Sequence, residues 1–396
     1  MERNDINADE ETVFQSLMEW VKFDQDNRQG HLPNLLQLVR MGCLDKEFFE
    51  EHIQKNSLIQ EGCKGSKGLT NLMQRVEAYF NSPRLQKPGF AKPRTTEDVI
   101  LVIGGYSQEN VNDLASIESY DMQAHKWCTS TLEDPLGPRN NLSAAVIGSK
   151  LFLIGGRKEG RTLKQGVMMD LAAGGKAKNI APMHIARWWF CLVSFKEHLY
   201  AIGGLNNGSL KSIERYDPQQ NMWELKPEMQ QRRNGAGCAV VNDLIVVAGG
   251  HDGRNFLDSV EAYDTNTGTW LPLPNMTKRI WDLSCAAQKK ELYVLGGDEY
   301  GCTWEIYSFS SQQWTYLGGL DLRPNYLATF ILDDKLVVMD RDEETVAIYD
   351  EARKEWRKRS TKMNVKRLGH ATAVVAGVNI GKEAVRVFQH PSRDSP

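Results

Sequence analysis

The stretch from Arg215 to Trp223, RYDPQQNMW, sets Tyr216 and Trp223 seven residues apart, and the chain repeats this spacing. Tyr120 and Trp127, Tyr263 and Trp270, Tyr307 and Trp314, and Tyr349 and Trp356 bring the copies to five. Between the first and third copies the frame reads MMDLAAGGK, with Met169 and Lys176 in the aromatic places, and counts as a degenerate repeat. Upstream of each frame an apolar run ends on a diglycine: VILVIGG, KLFLIGG, HLYAIGG, DLIVVAGG and ELYVLGG. The first glycines fall at 104, 155, 203, 249 and 296, a period near 47 residues. A sixth unit keeps the frame without its glycines, KLVVMD ending on Met339 and Asp340.

A period of 40 to 50 residues built from short β-rich runs bounded by Gly, Asn, Asp and Pro predicts a propeller with four strands to a blade. A single four-stranded sheet has two apolar faces and cannot bury both alone, so sheets stack around an axis. The diglycine ends the second strand where the chain must turn with no Cβ in the way. Tyr and Trp then supply apolar area between blades, roughly 150–250 Å² for each ring. The first unit opens at VILVIGG after the charged, proline-bearing segment 87–98, so it lacks an innermost strand. The segment 369–380, GHATAVVAGVNI, reads as that strand, and six blades then close by joining the two ends of the propeller, removing exposed sheet edges.

The diglycine after a strand, the Tyr and Trp seven apart and the period near 47 resemble Kelch repeats, over roughly residues 99–388. The first eighty residues differ in kind. Val13, Phe14, Leu17, Trp20 and Val21 stand at helical spacing behind Glu10 and Glu11, and HLPNLLQLVRMGCL continues the pattern with Pro33 in a first turn. This segment resembles the BACK domain, which in Kelch-like proteins lies between a BTB domain and the propeller. The expected architecture is mainly β with a small α domain: a partial helical BACK-like domain at 1–80, a linker at 81–98, a six-bladed Kelch β-propeller at 99–388 and a tail at 389–396. A BTB domain and the opening helices of BACK are expected ahead of such a segment, so the sequence reads as a shortened form or a fragment.

The net charge of −3 gives no electrostatic footprint for nucleic acid, and no 18-residue apolar run suits a membrane. The opening MERNDINADEE lacks a signal peptide's basic and apolar regions, and the reading is a cytoplasmic protein, or one associated with the cytoskeleton. The seven cysteines are scattered with no C-x-x-C pair, and Cys191, Cys238 and Cys285 fall on expected inner strands as small buried side chains, with no metal site or cofactor implied. Cys43 and Cys63 stand in the helical part, where buried structural thiols are the commoner case. The eight histidines occupy unlike places in the repeat, unlike the gathered Tyr, His and Cys of Kelch copper oxidases. No P-loop or dinucleotide fingerprint is present either. A non-catalytic binding protein is expected.

The candidate contacts lie where loops cluster. Arg139, Arg187, Arg233 and Arg323 recur sixteen residues before the diglycine frame, with Arg279 one residue further out and Arg367 before the closing strand. Kelch-like proteins place arginines in equivalent loops where acidic peptides bind, and the resemblance makes these six the candidates. The structural alternative for each is an inter-blade salt bridge with bonds to loop carbonyls. Asn141, Trp188 and Tyr326 sit beside them, while Tyr106, Arg254 and Tyr300 lie in the loops after the diglycines. In BTB-BACK-Kelch proteins the propeller holds a target and the BTB domain binds a cullin, so that the target is ubiquitinated. By resemblance the partner is therefore a protein or peptide on the loop face, with a cullin engaged only by a longer form that carries BTB. The alternative is a cytoskeletal protein that binds actin filaments through its propeller.

Overall fold

The computed structural model describes residues 10–44, 46–81, 99–107, 113–121, 126–131, 134–173, 175–298, 301–320, 322, 327–332, 335–340, 345–351, 353–360, 363–365 and 367–375. Two compact units result, one built mainly from the N-terminal helices and one from the strands.

In the helical unit, Glu10–Phe23 forms a helix whose Val13, Phe14, Leu17, Met18 and Val21 are buried. They pack with Leu32, Leu36, Ile53, Ile59, Leu69 and Val76 in one core. The helix Ser57–Gly65 starts where the Asn56 side chain accepts from the Leu58 and Ile59 amides, satisfying two donors that have no partner within the helix. Trp20 does not join the core that its spacing suggests. Its ring is 40 % exposed, with the Arg28 guanidinium 4.7 Å above it.

The strands form six four-stranded sheets, the blades of a propeller. The third blade sets the pattern: Cys191–Phe195 innermost, then His198–Ile202, Ile213–Asp217 and Met222–Lys226, each antiparallel to the last. The fourth follows with Gly237–Val241, Leu244–Ala248, Val260–Asp264 and Thr269–Leu273. In the first blade the innermost strand is Ala371–Val375, paired beside Val99–Ile103 although all the other blades lie between them in the chain. The later part of the expected closing strand, residues 376–380, lies outside the described residues.

The seven-residue spacing is explained by register. Tyr216 lies directly opposite Trp223, Tyr263 opposite Trp270, Tyr307 opposite Trp314 and Tyr349 opposite Trp356, each pair across the hairpin of the two outer strands. Their ring centroids are 5.1 to 5.2 Å apart. Tyr216, Tyr263 and Tyr307 are buried, and burial pushes the Tyr216 phenol up to about 12. Three of the indoles also reach backwards: Trp223 Nε1 donates to the Ala181 carbonyl, Trp270 to that of Pro227 and Trp314 to that of Pro274. Those carbonyls follow the outermost strand of the preceding blade, so one side chain both fills its own sheet and ties it to its neighbour. The degenerate second blade, with Met169 and Lys176 in these places, keeps its four strands Ser143–Ile147, Lys150–Ile154, Gly166–Asp170 and Ala177–Ile180. Trp270→Phe keeps an aromatic ring and removes the bond to Pro227. It should cost about 0.5–1.5 kcal/mol in chemical denaturation, with no change in circular dichroism.

Candidate protein-interaction site

The loops that enter each inner strand and the loops that follow each diglycine meet on one face of the ring. What holds them there is a repeated polar assembly. In the third blade Glu214, two residues before Tyr216, is fully buried and accepts from the His184 and Ile185 amides of the entering loop. It also pairs with Arg187 at 2.7 Å. Arg187 in turn donates to the Gly203 and Ser212 carbonyls of its own blade. Glu261 and Arg233 repeat this in the fourth blade, on the Gln230 and Gln231 amides and the Gly249 and Ser259 carbonyls. Glu118 and Arg367 repeat it in the first, on the Asn364 and Val365 amides and the Gly104 and Ser116 carbonyls.

The arginine's own carbonyl faces the other way. It accepts from the second glycine of the preceding blade, Gly204 to Arg233, Gly156 to Arg187 and Gly105 to Arg139. The first glycine of each pair packs on that same carbonyl. A Cβ on Gly155 or Gly203 would stand 2.5 Å from it, and φ is +61 and +63 there, so the diglycine is needed for approach as well as for turning.

This geometry corrects the expectation that the arginines line a peptide site. Arg139, Arg187, Arg233 and Arg367 are at most 2 % exposed and point between sheets, not into solvent. Burial pushes their pKa values down, the facing carboxylates raise them again, and a guanidinium stays charged throughout. In the second blade Val167 stands where the glutamate should be, and Arg139 takes Asp134 at 3.1 Å instead.

The fifth blade breaks the assembly. Ile280 occupies the buried arginine position, its carbonyl accepting from Gly250, and Arg279 is displaced outward with its side chain 68 % exposed. This is the physical meaning of its one-residue offset in the sequence. Glu305 remains, fully buried, accepting from Thr277 N, Thr277 Oγ1 and the Lys278 amide, with Ile280 where a guanidinium would face it. Burial raises its pKa above the ordinary glutamate value. The expected loop after Gly296 and Gly297 is also absent among the described residues. The strands Glu291–Asp298 and Gly301–Ser308 pair through the diglycine, and Gly296 leaves room for Ile280, whose Cγ2 a Cβ would meet at 2.6 Å.

Around the axis the residue two past each buried position has a left-handed backbone: Asn141, Trp189, Gly235, Asp282 and Gly369, with φ from 48 to 59°. Amides link them in turn, Asn141 to Gly369 O, Trp189 to Asn141 O and Gly235 to Trp189 O. An aromatic residue adopts this conformation at a cost, and Trp189 gains reach by it. Its indole lies over Gly235 and donates to Asp282 Oδ1 at 3.2 Å, across the mouth of a central cavity of about 190 Å³. Cys191, Cys238 and Cys285 line that cavity, where a hydrogen bond with Cys238 and then burial raise the Cys191 pKa, and burial raises that of Cys285, well above the usual thiol range. Among the described residues no group of three or more His, Cys, Asp or Glu side chains could hold a metal ion.

The solvent-facing features of this surface are aromatic and cationic. Trp188 stacks on Trp189 with centroids 6.0 Å apart and planes 15° apart, and Arg157 lies over its ring at 4.9 Å. In the fourth and fifth blades Phe256 packs tilted against Trp281, with centroids 4.4 Å and planes 30° apart, and meets His251 edge-on at 5.0 Å. Phe256 is 42 % exposed, with Arg254 and Arg279 also exposed. An open groove of about 510 Å³ runs between Gly208, Ser209, Arg232 and Arg254. Of the sequence candidates, Arg254 and Arg279 are thus exposed, while Trp188, Asn141 and Tyr106 are half-buried, Tyr106 bridging to Leu368. Arg323, Tyr326 and Tyr300 lie outside the described residues. Sequence reasoning passes over Phe256 and Arg232. The signal for Phe256 is a large aromatic residue in the otherwise polar loop GHDGRNFLD.

Two substitutions separate the intact assembly from the broken one. Glu214→Gln leaves Arg187 buried without its carboxylate and should destabilise by about 3–5 kcal/mol. Glu305 binds its proton more tightly folded than unfolded, so its contribution is full below the unfolded pKa and is lost as pH rises through the folded one. Glu305→Gln should therefore gain stability relative to the native chain as pH rises above about 4.3, read as the difference in melting temperature across a pH series.

A family model described as the Kelch motif matches residues 91–130, 190–230 and 232–277, and the BACK model, described as BTB And C-terminal Kelch, matches residues 1–54. Among curated proteins, Kelch-like protein 35 of Mus musculus is 30 % identical over 254 residues, 63 % of this chain and 43 % of that protein. Kelch-like protein 25 of Homo sapiens is 26 % identical over 252 residues, 61 % of this chain and 42 % of that protein. Kelch-like protein 38 of Rattus norvegicus is 26 % identical over 253 residues, 62 % of this chain and 43 % of that protein. The match thus spans about two-fifths of the length of these relatives. With a BACK segment, Kelch motifs and six closed blades, this chain is similar to the Kelch-like proteins in both its parts.

Proposed function

We propose that the chain is the target-recruiting part of a cullin-linked ubiquitination adaptor, holding a protein on the loop face of its propeller. Its BACK and Kelch parts support a protein-binding adaptor role. The observation that carries the site is the exposed Phe256 packed against Trp281 beside Arg254 and Arg279. Aromatic anchors with arginine are the composition of binding hot spots, because they bury large area at low entropic cost and add directed polar contacts. Arg279 has left the buried register, and its exposed guanidinium, 4.0 Å from Asp258 Oδ2, can reach a partner. Trp188 under Arg157 forms a second anchor on the second and third blades. The rigid ring fixes where these loops stand, and their sequences differ from blade to blade, which suits recognition. This reading carries a cytoplasmic location with it.

Affinity capture tests the reading, with the native chain beside a Phe256→Ala/Arg279→Ala form. Both residues are exposed, so the melting temperature should hold. Loss of two anchors worth about 2 kcal/mol each should weaken a bound target by an order of magnitude or more. A target retained equally by both forms would sink the site. Co-sedimentation of both forms with filamentous actin would favour the cytoskeletal alternative.

A further inference from the structure

The chain contains the dipeptide Asn-Gly twice, at Asn207–Gly208 and at Asn234–Gly235, and the fold treats the two copies oppositely. Asn234 is buried. Its side-chain amide donates to Ser209 Oγ at 2.7 Å and to the His251 carbonyl at 2.8 Å, and the Gly235 amide donates to the Trp189 carbonyl at 3.1 Å. Both the amide that would attack and the side chain that would receive it are held. Asn207 and Gly208 form the tip of the loop after the third diglycine, beyond the bridged pair Leu205 and Ser209. Gly208 is exposed and has no neighbour within 4 Å of where a Cβ would stand. In this loop the flanking bonds are Asn206 N to Gly208 O and Leu210 N to Gly204 O, which leaves the Gly208 amide and the Asn207 side chain to solvent.

From this contrast we propose that Asn207 is a spontaneous deamidation site that places a further carboxylate beside the groove lined by Arg232, Asp252 and Arg254. The Gly208 amide nitrogen attacks Asn207 Cγ, and the C–N bond to the side-chain amide breaks. The proton from the Gly208 nitrogen leaves with that group as ammonia, and a succinimide closes. One water then opens the ring to aspartate or isoaspartate, so the net change is one water taken up and one ammonia released, with no oxidant or cofactor. Glycine favours the step because it has no side chain to hinder the approach and the most freely moving backbone. The new charge stands where Gly208 and Ser209 line the groove with Arg232, Arg254 and Asp252, so the modification adds a second carboxylate to a groove that holds two arginines and one. The chemistry is independent of the proposed adaptor role and stands or falls separately from it.

Peptide mapping of the full chain aged at neutral to mildly alkaline pH tests this, native and in urea. A gain of about one dalton should accumulate on the Asn207 peptide of the folded protein while the Asn234 peptide stays unchanged, and in urea both should convert at similar rates. Asn207→Gln should abolish the gain at that position. No conversion at Asn207 in the folded chain, or equal conversion at Asn234, would overturn the proposal. So would an Asn234 that stays unconverted in urea, since the fold would then not be what protects it.

Discussion

A buried arginine that serves two sheets at once, one by its side chain and the other by its carbonyl, is the constraint on which the ring depends. Arg233 bonds the Gly249 and Ser259 carbonyls and Glu261 of its own blade with its side chain, and accepts the Gly204 amide of the preceding blade on its carbonyl. A charge this deep is tolerated because a carboxylate faces it and carbonyls take up its N–H groups. The demand propagates outward: the glutamate must stand two residues before the tyrosine, the glycines must lack side chains, and the entering loop must offer two successive amides. The tryptophan at the rim then ties the same blades together at larger radius. Each such blade is fixed to its neighbour near the axis and again far from it.

In the fifth blade the constraint is lifted, and the local structure changes with it. Ile280 in the buried place brings no guanidinium to bond the diglycine carbonyls, and the two middle strands run on as a straight hairpin. Glu305 keeps its amide partners but holds its carboxylate in a site that favours the proton. Arg279 is put outside, beside Trp281 and Phe256. A one-residue shift has thus exchanged a structural charge for a surface one, and the aromatic patch stands at that exchange.

The outline of the fold was legible because repetition is a sequence property. Tyr216 and Trp223, and their counterparts, carry the register of a hairpin in their spacing, and the diglycines mark where strands end. The interaction surface was less legible. An arginine at a fixed place in the repeat is equally consistent with a buried ion pair and an exposed ring, since both need a positive charge there. Only the glutamates two residues before the tyrosines distinguish them, at Glu118, Glu214 and Glu261. Phe256 was invisible for the opposite reason, because it belongs to one loop and has no counterpart in the other units.

The sequence by itself determined the period, the number of sheets, the place of the helical segment and the pairing of tyrosine with tryptophan, because each follows from local spacing and side-chain size. The tertiary structure alone decided which charges are buried, which Asn-Gly pair is locked and which aromatic rings face water. Those outcomes depend on what a neighbouring blade presents across the joint, and no spacing within one repeat contains that information.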